Sequence, residues 1–370
     1  MDKPADEDLV SDIVKIARLA LATGGVEVVP LLRSLSRSYR ATRPELASEL
    51  VSLLRKSPLR AVGLAPMTSQ PVDNESRLSL IREEYPVILS VDPILQAETR
   101  AILMQLVQEH AEPARLLNAG LAPTRTALFV GLPGVGKTLA ARWLARSLNR
   151  PLMVLDLASV MSSLLGKTGE NVRRVLDYAK QTPCVLLLDE LDAVAKRRDD
   201  VTEIGELKRL VTVLLQEIDM WPEGSLLIAA TNHADLLDPA VWRRFEVLVE
   251  FPLPDEVDRT KAIRQYLDDD SVTESTIELL AVAYRGCSYS DLEREVTRAR
   301  RIAAMQDLEV EQTMLSIVRD RFRKMPRIER VHLASYLLKS TGISQRKTQL
   351  ITGVSRDTLR KYIGDDSKQI

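Results

Sequence analysis

Cysteine is almost absent. Cys184 and Cys287 stand far apart, each in an apolar or helical context, which excludes a disulfide framework and reads as reduced thiols in a reducing cytoplasm. Histidine is as scarce: His110, His233 and His332 form no arrangement with Ser and Asp that suggests a catalytic triad. An excess of either charge is also missing, because 51 Lys and Arg face 52 Asp and Glu. No overall field therefore pulls the chain toward nucleic acid or a membrane surface, and any such contact must come from a local patch. No uninterrupted apolar run approaches the roughly 20 residues of a membrane span. The first ten residues, MDKPADEDLV, are acidic where a secretory signal would be basic. The chain reads as soluble and cytoplasmic, without internal repeats or low-complexity tracts.

What is present is a succession of compact units, for which 370 residues leave room. Leu9, Ile13, Ile16, Leu19 and Ala20, then Leu46, Leu50, Leu53 and Leu54, recur at helical spacing, predicting a helical N-terminal unit over 1–64. A linker is expected over 65–94, where APMTSQPVDN is rich in Pro, Ser and Thr and Pro86 and Pro93 follow. From 95 to 254 the runs ALFVG, PLMVLDL, CVLLLDE, SLLIAAT and FEVLVEF alternate with helical segments. That alternation predicts buried parallel strands in a doubly wound α/β sheet. Past Pro252 and Pro254 only helical periodicity remains, giving a helical appendage over 255–325. Met325-Pro326 sets off a last helical segment, 326–370.

The run Gly131-Leu132-Pro133-Gly134-Val135-Gly136-Lys137-Thr138 fits a P-loop and lies where one must, after the strand ALFV and before the helix that begins at Leu139. Such a loop wraps its N–H groups around phosphate oxygens, Lys137 reaches the β- and γ-phosphates of ATP, and the Thr138 hydroxyl can ligate Mg²⁺. A second apolar strand delivers Asp189 and Glu190 at its carboxyl end, the edge at which open α/β sheets bind ligands. There Asp189 would hold the Mg²⁺ shell and Glu190 would polarise the attacking water. A third strand ends in Thr231-Asn232. If that strand lies between the other two, Asn232 can orient the same water.

GLPGVGKT, VLLLDELDAVAKRR and AATNHADLLDPAVWRRFEVLVEFPLPD, in this order, resemble the AAA clade of AAA+ ATPases over about Leu121 to Phe322. The resemblance implies an AAA+ P-loop sheet domain with a helical lid, binding ATP through Pro133, Gly134, Val135, Gly136, Lys137, Thr138, Leu139 and Asp189, with Mg²⁺ on Thr138 and Asp189. Gly286-Cys287-Ser288-Tyr289-Ser290-Asp291-Leu292 is similar to the lid stretch that packs near the adenosine, with Ser290 at its small-residue position. Arg243 and Arg244 match the two arginines that act across the subunit interface. The Pro-Gly usual between those arginines is missing here, which leaves open which of them touches phosphate. A ring, most naturally of six subunits, is implied.

The loop Ser163-Leu164-Leu165-Gly166-Lys167 corresponds to the one that faces the pore of AAA rings. Its leucines either grip an extended peptide or pack the loop against its own domain. The segment 344–364 resembles a helix-turn-helix, with Ser344 and Ser355 as N-caps, Gly353-Val354 at the turn, and Arg356, Arg360 and Lys361 on the second helix. It suits DNA or a protein-docking role equally. LLGKTGENVR, the Asp-Met-Trp-Pro turn and DPAVWRRF look like bacterial AAA ATPases encoded beside a subtilisin-like serine protease in antiphage-defence or plasmid-incompatibility modules. The reading is a ring ATPase that remodels a protein or controls such a protease. An ATP-controlled DNA-binding switch and an assembly scaffold are the alternatives.

Overall fold

The computed structural model describes residues 32, 39, 43–56, 81–157, 168–181, 183–195, 204–268, 270–340 and 343–366. The helical spacing read over Leu9–Ala20 and the pore-loop leucines Leu164 and Leu165 lie outside them. In chain order the elements are α1 (Pro44–Lys56), β1 (Ile81–Glu84), α2 (Ala97–Ala111), α3 (Pro113–Asn118), β2 (Thr126–Gly131), α4 (Lys137–Ser147), β3 (Leu152–Asp156), α5 (Thr168–Lys180), β4 (Val185–Asp189), α6 (Asp192–Ala195) and α7 (Ile204–Asp219). There follow β5 (Leu226–Thr231), α8 (Pro239–Trp242), β6 (Val247–Phe251), α9 (Glu256–Leu267), α10 (Glu274–Ala283), α11 (Tyr289–Gln306), α12 (Val310–Lys324), α13 (Arg327–Ser340), α14 (Gln345–Thr352) and α15 (Arg356–Asp366). The chain divides into one unit of Met1–Pro93, Leu103–Phe129 and Thr138–Val249 and a second of Ile94–Ile102, Val130–Lys137 and Glu250–Ile370.

Each of the five apolar runs forms a strand. The sheet order is β1-β3-β4-β5-β2-β6, and β3, β4 and β5 pair in parallel with Leu152 opposite Val185 and Val185 opposite Leu226. Every residue of β5 is buried, as is all of β4 before Asp189, which is why these strands read as continuous apolar runs rather than alternating ones. The stretch read as a linker holds β1, which pairs antiparallel with β3 through Ile81 opposite Leu155. Its sequence, IREE, has no apolar run to announce it, because an edge strand buries little. The α/β architecture with a mainly parallel sheet is the one expected, and the antiparallel β1 makes it mixed.

In the first unit α5 and α7 are joined by a buried carboxylate. Glu217, at 3% side-chain exposure, takes Arg173 Nε at 3.2 Å and the Lys180 ammonium. Lys180 also lies over the ring of the buried Trp221, 5.8 Å from its centroid.

The second unit carries the helical appendage. Ile263, Leu280, Val296, Val318 and Phe322 make its core, and Leu333, Leu337, Ile343 and Ile351 from the C-terminal segment belong to that same core. Arg259 is buried and donates through Nε to Ala281 O at 2.5 Å and through Nη1 to Pro254 O at 2.7 Å. One guanidinium thus ties the entry of α9 to the last turn of α10. The helix-turn-helix pattern is present: Ser344 accepts from Lys347 N, Gly353 closes α14 at φ 69°, and Ser355 accepts from Thr358 N. Val331, Ala334, Val354 and Leu359 form a small core around the turn. Gln349 is exposed, so it does not crowd the place where α14 meets α15.

The Glu217 cluster makes a stability prediction. Lys180→Met leaves a carboxylate buried with a single cation and is expected to cost about 2–4 kcal/mol, whereas Glu217→Leu removes the buried charge itself and should cost less. Urea midpoints of the two variants check this. Equal midpoints would show that the carboxylate reaches water by other means.

Candidate active site

Within the first unit, the carboxyl ends of β4 and β5 bring together the acids and the amide. Thr138, the second residue of α4, donates from Oγ1 to Asp189 Oδ2 at 3.2 Å. Two hard oxygens side by side suit a divalent cation. Among the described residues no group of three His, Cys, Asp or Glu can cage a metal. A cation here would complete its shell with phosphate and water, which is the habit of Mg²⁺.

Glu190 follows Asp189 in the left-handed region, φ 56°, a conformation that a residue with a Cβ adopts at a cost and that functional turns often hold. Its backbone N–H donates to Asp189 Oδ1 at 3.0 Å. Partial burial raises its carboxyl above the ordinary glutamate value, and the nearby charges of Asp156, Asp189 and Asp192 raise it further. A carboxylate moved toward neutrality in this way is a better base at working pH than a fully solvated one.

The condition on which Asn232 depended is met, since β5 lies between β4 and β2. Its position is set by Asp192, which sequence reasoning passed over. Asp192 Oδ1 accepts from Thr231 Oγ1 at 3.0 Å and from Asn232 N at 3.2 Å, while Leu191 N donates to Ala230 O at 2.9 Å. The tips of the two strands are thereby stitched together. The available signal was an acid three residues past Asp189, opening α6.

The second unit holds the glycine-rich loop read as phosphate-binding, whose last residue, Lys137, precedes Thr138 in the chain. Lys137 is buried, and its ammonium donates to Gly131 O at 2.7 Å and Leu132 O at 3.1 Å. Val135 is buried, Leu139 half-buried and Pro133 exposed. Gly134 and Gly136 have φ of 77° and 98°, so successive N–H groups turn inward as an anion-binding concavity requires. A Cβ at Gly134 would stand 2.7 Å from Ser288 Oγ and 2.8 Å from Ser290 Cβ. The Ser290 N–H donates to Gly134 O at 3.2 Å. Ser290 thus meets the loop by its backbone, at the N-terminus of α11, where Ser288 and Asp291 form a reciprocal cap. Those Ser288 bonds hold the Asp291 carboxyl below its ordinary value, helped by Arg294.

Arg243 and Arg244 leave the short helix α8, which starts on Pro239 with Asp238 accepting from Ala240 N. They differ in surroundings. Arg244 pairs with Asp219 at the end of α7, and its carbonyl accepts from Thr126 Oγ1. Arg243 is exposed, and its side chain makes no hydrogen bond or ion pair among the described residues.

A glycine-rich loop between a strand and a helix, with an amide ending the adjacent strand and acids ending the strand beyond it, defines a P-loop nucleoside-triphosphatase. Residues 127–253 match the model of the ATPase family associated with various cellular activities (AAA). An AAA family ATPase of Sinorhizobium fredii, y4kL, is 36% identical over 259 residues, covering 69% of this chain and 77% of the relative. The proteasome-activating nucleotidase of Methanosarcina mazei is 30% identical over 70% of this chain and 62% of its own length. The ATP-dependent zinc metalloprotease FtsH 3 of Sphaerobacter thermophilus is 30% identical over 66% of this chain, which spans about half, 51%, of that relative. The chain belongs to the AAA family and is an ATPase.

Two outcomes follow from this geometry. ATP turnover should fall as pH drops through the raised Glu190 pKa, because the base is lost on protonation, and Asp156→Asn should move that acid limb to lower pH by removing a neighbouring negative charge. Steady-state pH–rate profiles would reveal it, and an acid limb indifferent to Asp156→Asn would tell against Glu190 as the titrating base. Gly134→Ala should weaken nucleotide binding about ten-fold or more, since the new Cβ collides with α11 in a left-handed backbone. Gly224→Ala, which meets nothing within 4 Å, is the control in the same titration with a fluorescent ATP analogue.

Proposed function

We propose that this ATPase works as a cytoplasmic ring, most naturally a hexamer, that uses ATP and Mg²⁺ to remodel a protein or to control a subtilisin-like protease partner in bacterial phage defence. The observation that carries the reading is the unequal pair of arginines. Arg244 is held by Asp219 of its own subunit, while Arg243 stands exposed without a partner among the described residues. An arginine left in that condition at the family's finger position suits a site completed by a neighbour. The proposal thus assigns Arg243 the trans role and Arg244 a supporting one.

Bound Mg²⁺ would neutralise phosphate charge, with Thr138 and Asp189 as its protein ligands. Lys137 and the loop Pro133–Leu139 hold the phosphates, Glu190 takes a proton from the attacking water, and Asn232 orients that water. Ser290 presents its backbone at the lid. A coupling to proteolysis draws support from two relatives, one named as a protease and the other as a proteasome activator. The subtilisin-like partner and the defence role rest on the sequence resemblance.

A second reading is DNA contact through 344–364. It is favoured by the exposed Arg356, Arg360 and Lys361 on α15, which are suited to phosphate and guanine. Salt-dependent duplex binding that vanishes when all three are changed to Ala would support it.

The leading proposal predicts that Arg243→Ala binds ATP yet hydrolyses it about 10³-fold more slowly, while Arg244→Ala keeps most turnover and loses only the modest stability of a surface pair. Mixing Arg243→Ala with Lys137→Ala should restore activity, since one supplies the P-loop and the other the arginine. Mixed rings, verified by native mass spectrometry, that stay as inactive as the separate variants would defeat the trans assignment. Phage plating on cells carrying the ATPase and its protease checks the biological half: protection that survives Glu190→Gln unchanged would defeat it.

A further inference from the structure

The second unit contains a cavity of about 780 Å³ that the nucleotide chemistry does not use. It opens where the appendage helices meet the C-terminal helices. Its walls come from Ala283 at the end of α10, Arg321 and Met325 at the end of α12, the α13 face from Glu329 to Lys339, and Lys361 and Tyr362 on α15. Its size falls in the range of small-molecule sites.

Its charge is one-sided. Arg285, Arg321, Lys339 and Lys361 line it against the single carboxylate of Glu329, in a chain whose charges as a whole nearly cancel. Neither Arg285 nor Lys361 pairs with a carboxylate among the described residues. Arg321 is held in place: its guanidinium stacks 5.0 Å above the Tyr284 ring and donates to Ala283 O at 3.3 Å and Cys287 Sγ at 3.3 Å. A fork fixed in this way loses little freedom when it meets an anion. Ser335 is buried at 7% exposure, and its Oγ has no hydrogen-bond partner among the described residues, an unusual expense for a buried hydroxyl. His332 and Tyr362 meet edge to face at the rim, ring centroids 5.9 Å apart.

We infer that this cavity is a binding site for a small phosphorylated molecule carrying several negative charges, separate from the ATP site. Arginine forks and lysine ammoniums are the usual receptors for phosphate oxygens. A concave volume of this size suits a discrete molecule better than the continuous backbone of a duplex. Because the walls belong to α12, α13 and α15 together, such a molecule ties the C-terminal helices to the appendage by charge as well as by their shared core.

Inorganic tripolyphosphate is the probe. Calorimetric titration of the full chain carrying Lys137→Ala, which weakens the P-loop, should still show one site per chain. Adding Arg285→Ser and Lys361→Ser, both at exposed positions, should weaken that site about ten-fold or more. Independently of the P-loop assignment, tripolyphosphate should protect Lys361 of the unsubstituted chain from reductive methylation, as read by mass spectrometry. Protection of Lys361 by a short duplex but not by tripolyphosphate would overturn the inference in favour of a nucleic-acid surface. Titration unchanged by the double substitution would overturn it too.

Discussion

Val185 to Leu188 of β4 pair in register with Leu226 to Ala229 of β5, and from this parallel ladder the catalytic end of the first unit follows. Both strands are buried on both faces, so slipping the register by one residue would mispack every side chain and draw a polar strand end into the apolar interior. The strands are therefore locked, and so is the place where each one ends. Asp189 and Glu190 must emerge beside Thr231 and Asn232, whatever the connecting segments do. Asp192 converts that adjacency into fixed geometry by accepting from both Thr231 and Asn232 with one oxygen.

The electrostatics of this end run against stability, as active ends often do. Asp156, Asp189 and Asp192 surround Glu190, which itself sits at positive φ. Four acids in such company repel one another, and a folded protein keeps them there only because the ladder beneath is rigid. In the proposed mechanism the same repulsion is useful. It holds the Glu190 carboxyl above its ordinary value, and a cation on Thr138 and Asp189 would relieve it in the nucleotide-bound protein.

The appendage uses a different device, which is close approach. Gly134 touches Ser288 and Ser290 so tightly that no side chain fits there, and the capping box at Ser288 and Asp291 holds the N-terminus of α11 in place for that contact. Further along, Arg259 draws the entry of α9 to the end of α10 through two carbonyls. The glycine-rich loop is thus bound to helices whose apolar core is trimmed by a few polar contacts.

Much of this was legible in the residues themselves. Continuous apolar runs disclosed β2 to β6 because strands buried on both faces need no polar alternation, and GLPGVGKT announced a turn between β2 and α4 because glycine at positive φ has few substitutes. Asp189 and Glu190 could be named since a strand end is a local event. β1 escaped notice, as an edge strand made of IREE buries too little to leave a pattern. The work of Asp192, the partnering of Arg244 with Asp219, and the cationic cavity around Ser335 could not be read from spacing. Each joins groups brought together only by helix and strand packing, which local sequence does not encode. Sequence by itself determined which chemistry the chain carries, because that chemistry resides in short segments that keep their meaning alone. Tertiary structure decided which of two neighbouring arginines finds a carboxylate among the described residues, because pairing depends on what the fold sets opposite each one.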